Sequence, residues 1–178
     1  VELNLNDLLI ISTSAGLWSY NIGDTIKFTS LEPFRIIVTG RIKHFLSAFG
    51  EHVISEEVEK AMEAATKLHN VAIREFTVAP NINPKEMLPH HEWYVEFESL
   101  PKDMLAFSKA LDKEMTRLNI YYKDLIDGKI LKSLEVISVI RGGFNQYMKS
   151  EGRLGGQNKV PRLSNDRKIA DKIKTIST

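Results

Sequence analysis

The sequence predicts a mixed α/β (α+β) fold, in which a small three-stranded sheet with flanking helices follows a segment of β-strands. Beyond residue 40, apolar residues recur at helical or strand spacing in the order helix, strand, strand, helix, strand, helix. Residues 1–39 show only strand-like runs, and they are too few to form a domain by themselves. The composition, 43% apolar and 26% charged, is typical of globular proteins and excludes collagen-like and disordered chains.

The β-rich segment at the start of the chain is predicted to belong to a larger neighbouring domain. Three runs, Leu8–Ser12, Ile26–Thr29 and Phe34–Thr39, have the apolar and β-branched content of strands, and a turn-rich segment separates the first two. The chain starts at Val1 rather than at methionine, already in strand-like sequence. We therefore expect this sequence to be a fragment whose residues 1–39 end a large preceding domain.

A second domain is predicted over residues 40–178, with Gly40 and Arg41 as a hinge, because the strand pattern breaks there. Its predicted elements are helix Ser55–Leu68 capped by Ser55, strand Val71–Val78, a half-buried strand Glu92–Glu98, a helix opened by Pro101, helix Ile120–Asp127, strand Leu134–Ile140, helical turns Phe144–Ser150 and a last helix capped by Asn165. A proline-rich loop over residues 80–89 separates the first two strands of this domain.

Composition also limits the compartment and the chemistry. The chain has no cysteine, which fits a reducing compartment and excludes thiolate nucleophiles and cysteine-bound metals. Its longest aliphatic run, Leu8–Ile11, is far shorter than the roughly 20 residues of a membrane-spanning helix, and no signal peptide is recognisable. We therefore expect a cytoplasmic protein without a membrane partner.

Charge is distributed unevenly along the chain. Residues 153–178 contain seven Lys or Arg residues and two Asp residues, a local charge of +5, whereas the preceding 152 residues carry a net charge of −4. Such a basic end suggests an anionic partner such as a phosphate, a nucleotide or a nucleic acid. A solvated helix with basic residues near its C-terminus explains the charge equally well.

The first candidate binding segment runs from Ser14 to Asp24. Its glycine-bearing turn ends at Asp24, next to Gly23 and just before a predicted strand. A carboxylate at a strand edge suits a ribose diol, because each carboxylate oxygen accepts a hydrogen bond from one hydroxyl. An ordinary Gly-Asp turn is the alternative interpretation.

The second candidate is the glycine-rich loop Gly152–Arg162. Such loops expose backbone N–H groups to an anion, and Lys159 with Arg162 would supply positive charge. The loop is not a Walker A motif, because the glycine spacing differs and Val160 stands where Ser or Thr would hold magnesium. The alternative is a surface loop without a ligand.

A third segment, Gly40–Phe45 together with Gly50 and Glu51, places Arg41 and Lys43 beside the predicted hinge. These two cations could contact a phosphate or a neighbouring domain. A solvated turn is again the alternative interpretation.

No protein metal site is predicted. His90 and His91 are adjacent at a predicted loop–strand junction, and the sequence has neither H-x-x-x-H spacing nor a His/carboxylate facial pattern. A hydrolytic serine is also unsupported, because the sequence lacks a G-x-S-x-G motif. The carboxylates within residues 51–59 are explained by a favourable interaction with a helix N-terminus.

Two of these segments resemble motifs of the Gretchen Hagen auxin-responsive family of acid–amino acid ligases, within the acyl-adenylate-forming superfamily. Ile10–Asp24, which contains Tyr20 and Gly23, is similar to the family's strand and turn ending in Tyr-x-x-Gly-Asp. Phe144, followed by the loop Gly152–Arg162, is similar to its closing Gly…Gln-x-Lys-x-Pro-Arg loop.

The third segment resembles the superfamily's interdomain motif more loosely, through Gly40-Arg41, Gly50-Glu51 and Glu56-Glu57. The resemblance covers almost all of the chain. Plant members of the family usually carry arginines where this chain has Ser19 and Asn21, which favours a bacterial-type relative.

The resemblance implies a protein that activates a carboxylic acid with ATP, accompanied by Mg²⁺, to form acyl-AMP and pyrophosphate, and then transfers the acyl group to an amino acid. Lys159 matches the catalytic lysine that approaches the α-phosphate, and Asp24 matches the residue that binds the ribose hydroxyls. Tyr20, Arg41 and Arg162 are expected to be further nucleotide contacts. Residues 40–178 would form a mobile lid domain, whose lysine stabilises the charge that develops on the α-phosphate.

Much of such an enzyme is missing from this sequence. The phosphate loop and the acyl pocket would precede Val1, in the N-terminal large domain. We therefore expect the fragment to be inactive alone, with that domain as its partner and with a small carboxylic acid and an amino acid as substrates.

Two other functions are compatible with parts of the sequence. A stand-alone interaction or nucleic-acid-binding module would use the basic end, but aromatic residues do not interleave with basic ones in residues 153–178. A CoA-ligase lid is disfavoured by the loop Gln157–Arg162. Salt-dependent, sub-micromolar binding of RNA or DNA would distinguish the first alternative from the ligase.

Overall fold

The computed structural model describes residues 2–3, 5–41, 45–153 and 159–177. Its first sheet is antiparallel, in the order β1-β2-β3, with strands β1 (Asn6–Ile11), β2 (Tyr20–Leu31) and β3 (Phe34–Arg41). The three predicted strands of the opening segment are therefore present. β2 begins several residues earlier than predicted, because its first residue, Tyr20, pairs with Ile11 at the end of β1.

A two-stranded hairpin, which the sequence did not predict, connects the first sheet to the rest of the chain. Its strands are β4 (Phe45–Leu46) and β5 (Val53–Ile54). Helix α1 (Ser55–His69) follows directly, close to its predicted bounds. The N-cap position is Ile54 rather than Ser55, and the Glu57 carboxylate accepts a hydrogen bond from the Ile54 N–H at 3.0 Å.

The second three-stranded sheet has the order β6-β7-β8, with strands β6 (Ile73–Asn81), β7 (His90–Phe97) and β8 (Glu135–Val139). β7 pairs antiparallel with β6 and parallel with β8. A parallel pair needs a crossover connection, which two helices provide here. The helices that accompany this sheet are α2 (Met104–Leu118), α3 (Ile120–Asp127), α4 (Gly143–Ser150) and α5 (Lys168–Ser177). The structure confirms the predicted mixed α/β fold and the order of its elements.

Apolar clusters cover both faces of the second sheet. On one face, Trp93 and Val95 of β7 pack in a cluster with residues of α1 and α2, such as Met62, Phe107 and Leu111. On the opposite face, Tyr94 of β7 packs in a second cluster with residues of α4 and α5, namely Phe144, Tyr147, Met148, Ala170 and Ile173. The sheet is therefore the central layer of this part of the chain.

β7 is buried on both faces, which corrects the prediction of a half-buried strand. Glu92 and Glu96 alternate with apolar residues and suggested a solvent-exposed face, but protein groups satisfy their oxygens. Glu92 accepts hydrogen bonds from the Tyr94 hydroxyl and the Arg167 guanidinium, each at 2.7 Å. Glu96 accepts a hydrogen bond at 2.7 Å from the N–H of Gly142, at the start of α4. Burial of a carboxylate is tolerated when it is paired in this way.

Two helix starts also differ from prediction. The prediction that Pro101 opens the second helix was wrong, because α2 begins at Met104. Its N-cap residue is Asp103, whose side chain accepts a hydrogen bond from the Ala106 N–H at 2.9 Å. The end of strand β6 differs from prediction as well. The strand extends through Pro80 to Asn81, since a proline is tolerated near the end of an edge strand.

The start of α5 is the second helix start that differs from prediction. Asp166, and not Asn165, accepts a hydrogen bond from the Lys168 N–H, at 3.0 Å. Asn165 instead accepts one from the Ser47 N–H at 2.9 Å, which ties the chain before α5 to the β4–β5 hairpin. Within the described ranges, no helix is both long and apolar enough to cross a membrane.

Candidate functional site

Asp24 lies in a bulged part of β2, rather than in a turn before a strand. The register between β1 and β2 shifts between Leu8 and Ile10, so that β2 has extra residues at this point. Gly23 adopts φ +81° there, which glycine tolerates, and its N–H donates to the Asn21 side chain at 2.8 Å. Bulges of this kind turn a side chain away from the regular alternation of a strand, and they are common beside active sites.

Asp24 lines a cavity of about 640 Å³ between the first sheet and the start of α1. The lining residues come from β2, β3 and α1: Asp24, Ile37, Val38, Thr39, Gly40, Ser55, Glu56 and Glu59. Among these described residues, three are carboxylates and none is a cation. Carboxylate oxygens accept hydrogen bonds from hydroxyl groups and repel phosphates, so this cavity suits a ribose or another polyol.

Two further predicted nucleotide contacts belong to the same sheet. Tyr20 begins β2 opposite Ile11 and is 51% exposed. Arg41 ends β3, and its backbone lies opposite Asp24. The Arg41 side chain and the neighbouring residues 42–44 lie outside the described part of the chain. The sheet thus brings together the backbones of Asp24 and Arg41, with Tyr20 before the bulge.

Lys159 lies at a second cavity, of about 210 Å³, beside the second sheet. The lining residues are Arg74, Glu75, Glu96, Phe144, Asn145, Met148, Lys159 and Val160. Lys159 is exposed, and its ammonium group has no hydrogen bond or ion pair with a residue that the structure describes. The next residue, Val160, is only 6% exposed and packs in the cluster of α4 and α5. Residues 154–158 of the predicted loop lie outside the described ranges.

Arg162 is bonded to protein groups. Its guanidinium binds the Glu75 carboxylate, donates to the Phe76 carbonyl at 3.1 Å and donates to Glu59 at 3.3 Å. It also lies 4.5 Å from the centroid of the Phe76 ring, in cation–π geometry. These contacts use the Nε and Nη1 atoms of the guanidinium, so protein groups already hold this predicted nucleotide contact.

The chain that follows Lys159 is attached to the edge of β6. The Val78 N–H donates to the Arg162 carbonyl at 2.9 Å, and the Thr77 hydroxyl donates to the Pro161 carbonyl at 2.7 Å. Backbone hydrogen bonds of this kind extend a sheet by one more segment. The position of Lys159 is therefore fixed from its C-terminal side.

Arg162 also links the two cavities. Glu59 lines the cavity that contains Asp24, and Glu75 lines the cavity that contains Lys159. Both carboxylates bind Arg162. The structure therefore does not place Asp24 and Lys159 in one cavity, but it connects their cavities through a single arginine.

The sequence did not predict a buried contact between Glu51 and His91, both of which are 0% exposed. The Nε2 atom of His91 lies 2.9 Å from a Glu51 oxygen, and the other Glu51 oxygen accepts a hydrogen bond from the Phe49 N–H at 2.8 Å. The His91 ring stacks on Tyr122, with 5.2 Å between centroids. Glu51 therefore binds β7 rather than a helix N-terminus, and its only sequence signal was the loose interdomain motif.

Comparisons with known proteins match both parts of the chain. Residues 56–168 match the GH3 family C-terminal domain, and residues 1–41 match the GH3 family central domain. A curated relative from Arabidopsis thaliana, indole-3-acetic acid-amido synthetase GH3.4, is 28% identical over 178 residues, covering 91% of this chain and 29% of the relative.

Solved structures show the same fold. A GH3.15 acyl acid amido synthetase superposes with a TM-score of 0.77 at 19% identity, covering 100% of this chain and 35% of that protein. The AtGH3.15 acyl acid amido synthetase in complex with 2,4-DB gives a TM-score of 0.74 at 20% identity, with 100% and 34% coverage. The chain thus spans about a third of the length of these relatives. Because the C-terminal-domain match extends over more than half of its residues, the chain belongs to the GH3 family.

Proposed function

We propose that the whole protein, of which this chain is a C-terminal part, is an ATP-dependent ligase that joins a carboxylic acid to an amino acid through an acyl-adenylate. Each named relative is an acid-amido synthetase, which supports the same reaction class here. The acid would attack the α-phosphorus of ATP and release pyrophosphate. The amine would then attack the acyl carbon and release AMP. Because the chain spans about a third of its relatives, we propose that it is inactive without the preceding domain.

The observation that carries this proposal is a carboxylate-lined cavity at Asp24, together with Lys159, which lines a separate cavity and has no partner among the described residues. Asp24 would accept hydrogen bonds from the ribose hydroxyls in a cavity that suits a polyol. Lys159 would stabilise negative charge on the α-phosphate, because its ammonium group is exposed and its loop is attached to β6. Mg²⁺ would enter bound to the phosphates of ATP.

Arg162 is proposed to position Lys159. Its bonds to Glu59 and Glu75 tie the lysine loop to α1 and β6 at once. Tyr20 and Arg41 are proposed as nucleotide contacts from the first sheet. Tyr20 precedes Asp24 on β2, and Arg41 pairs with Asp24 from the neighbouring strand β3.

We propose a domain boundary at residues 39–40 and a hinge at Gly40 and Arg41. These two residues end β3, where they pair with Thr25 and Asp24, so rotation about them would open the end of this ladder. The cavities of Asp24 and Lys159 are separate, so a single active centre requires the second domain to rotate against the first. Closure of this kind excludes water and delivers catalytic groups in many enzymes.

Replacement of Asp24 by alanine in the full-length protein is expected to weaken ATP binding by a factor of about 10 to 100. The reason is the loss of a charge-assisted hydrogen-bond acceptor, which contributes about 1.5–3 kcal/mol. Calorimetric titration with ATP measures the change. Asp127→Ala is the matched control, because Asp127 is an exposed aspartate that pairs with Lys123 on α3, outside both cavities. Equal affinities in the two variants would remove Asp24 from the nucleotide site.

Limited proteolysis of the full-length protein should cut near Gly40 more slowly with ATP than without it. ATP would hold the two domains together and protect the hinge between them. Cleavage in residues 82–89 is the internal control, because this loop lines neither cavity. Equal cutting near Gly40 in both states would indicate a rigid connection and contradict the hinge.

The alternative of a nucleic-acid-binding module has less support, because protein carboxylates pair much of the basic end. Arg167 pairs with Glu92, Lys168 with Asp166 and Lys172 with Glu151. Arg162 is held by two carboxylates. Cations that are already paired release fewer counterions on binding to a phosphate backbone, which weakens that interaction.

A further inference from the structure

Three potential metal ligands meet at one end of the second sheet. His90 and Glu92 are two residues apart on β7, so their side chains share a face, and Glu135 lies opposite Glu92 on the parallel strand β8. One ligand atom from each of the three residues lies within 4.8 Å of the other two. None of these residues lines the cavities of Asp24 and Lys159.

The protonation of His90 favours metal binding. His90 is 1% exposed, and its Nδ1 lies 3.1 Å from the Leu88 carbonyl oxygen. A carbonyl oxygen only accepts hydrogen bonds, so Nδ1 carries a proton, and in the tautomer with a single proton Nε2 keeps its lone pair for a metal. That Nε2 atom is buried and has no hydrogen-bond partner among the residues that the structure describes. A buried imidazole nitrogen without a partner costs stability unless another group binds it.

Both carboxylates are oriented by further contacts, as ligating carboxylates usually are. Glu92 accepts hydrogen bonds from Tyr94 and Arg167 on one oxygen and from Asn81 on the other. Lys132 binds one oxygen of Glu135. The other Glu135 oxygen lies 3.4 Å from His90 Nε2, and the nearer Glu92 oxygen lies 3.9 Å from it.

We propose that His90 Nε2, Glu92 Oε1 and Glu135 Oε2 bind a zinc ion, with water as the fourth ligand. Zinc binds imidazole and carboxylate at about 2.0–2.2 Å in tetrahedral geometry, which separates neighbouring ligand atoms by about 3.3–3.6 Å. The 3.4 Å and 3.9 Å separations from His90 Nε2 are close to this spacing, and the two carboxylate oxygens lie within 4.8 Å of each other. Glu135 is 45% exposed and opens the site to solvent, so the ion has a path of entry.

The competing arrangement is a protonated His90 that pairs with the two carboxylates. It would place a proton on Nε2, but neither carboxylate oxygen is in hydrogen-bonding geometry with that atom. The cations of Arg167 and Lys132 already balance the charges of Glu92 and Glu135. These cations lower the affinity for zinc. The lone pair of His90 nevertheless favours binding of the metal over protonation of His90, which would add a third positive side chain to the cluster.

The test is titration of metal-free full-length protein with Zn²⁺, followed by calorimetry, and with Co²⁺, followed by visible absorption. Glu135→Gln removes one anionic ligand at a half-exposed position and should weaken zinc binding at least about tenfold. Glu63→Gln is the matched control, because Glu63 is an exposed glutamate paired with a nearby lysine, Lys67, on α1. The control should bind zinc as tightly as the parent protein.

The parent and Glu63→Gln proteins should also give the intense visible bands of tetrahedral Co²⁺, and Glu135→Gln should lose them. Thermal unfolding provides an independent measurement, because an ion that binds only the folded protein raises Tm. Equal zinc affinity in Glu135→Gln and the parent protein, or no saturable binding to the parent, would overturn the proposal. Failure of ATP binding by the full-length protein would contradict the ligase function without affecting this result.

Discussion

Replacement of Lys159 by alanine in the full-length protein is expected to slow acyl-adenylate formation by a factor of about 10² or more. The same variant should still join an amine to acyl-adenylate supplied from outside. In the proposed mechanism the lysine is needed only in the first half-reaction, where charge develops on the α-phosphate.

The expected size follows from the position of the ammonium group. Lys159 has no described partner, and the residues after it are held by the buried Val160 and by the Pro161 carbonyl. A backbone that is held in place limits the cost of bringing the ammonium group to the developing charge, and a factor of 10² corresponds to about 2.7 kcal/mol.

Two separate measurements test this prediction. Pyrophosphate release reports adenylate formation, and product mass after addition of pre-formed acyl-adenylate reports amide formation. Lys168→Ala is the matched control, because Lys168 is 86% exposed in the same basic end and, among the described residues, pairs with Asp166 at 3.4 Å. Equal losses in both half-reactions would show that Lys159 maintains structure. No loss in either would exclude it from catalysis.

Strong local patterns made the fold largely predictable. The helical stripe that contains Phe107, Leu111 and Met115 is buried in α2, and α1 follows its predicted bounds within one residue. The β4–β5 hairpin was not predictable, because strands of two residues carry no periodic signal. The burial of β7 was also missed, because the partners of Glu92 and Glu96 come from distant parts of the chain.

The candidate sites, like the fold, were predictable only where a local motif marks them. Asp24 and Lys159 stand in local motifs that can be found in the sequence, although their cavities depend on α1, β6 and α4. The cluster of His90, Glu92 and Glu135 has no such motif, since its third member depends on the register of a parallel strand pair. A site whose residues come from different strands does not produce a spacing pattern within one strand of the sequence.

Replacement of Glu51 by alanine is expected to destabilise the second sheet and its helices by about 3–5 kcal/mol, the summed cost of two buried groups left unsatisfied. The change leaves the buried Nε2 of His91 and the Phe49 N–H without their acceptor. His91 cannot compensate easily, because within the described part of the chain its Nδ1 atom is already buried without a hydrogen-bond partner. An unpaired buried polar group carries its full desolvation cost.

This contribution should depend on pH in a defined direction. Burial raises the pKa of Glu51, but the hydrogen bond and charge of His91, with the Phe49 N–H, outweigh burial and lower the pKa below its usual value of 4.5. The unfolded chain therefore takes up a proton at higher pH than the folded protein does. The stabilisation by Glu51 is fully present above pH 4.5 and is lost as the pH falls through the lower pKa of the folded state.

Hydrogen exchange of β7, measured by mass spectrometry on the full-length protein, reports this local stability directly. Protection factors in Glu51→Ala should fall by roughly 10²- to 10⁴-fold at neutral pH, which corresponds to the expected loss of free energy. Glu98→Ala is the control: Glu98 is half-exposed just after β7, its carboxylate lies 3.7 Å from Arg74, and its loss should cost about 1 kcal/mol or less. Equal effects of the two variants would contradict the role of Glu51. A difference between parent and Glu51→Ala that persists unchanged well below pH 4.5 would show that packing, rather than the ionised carboxylate, attaches this loop to β7.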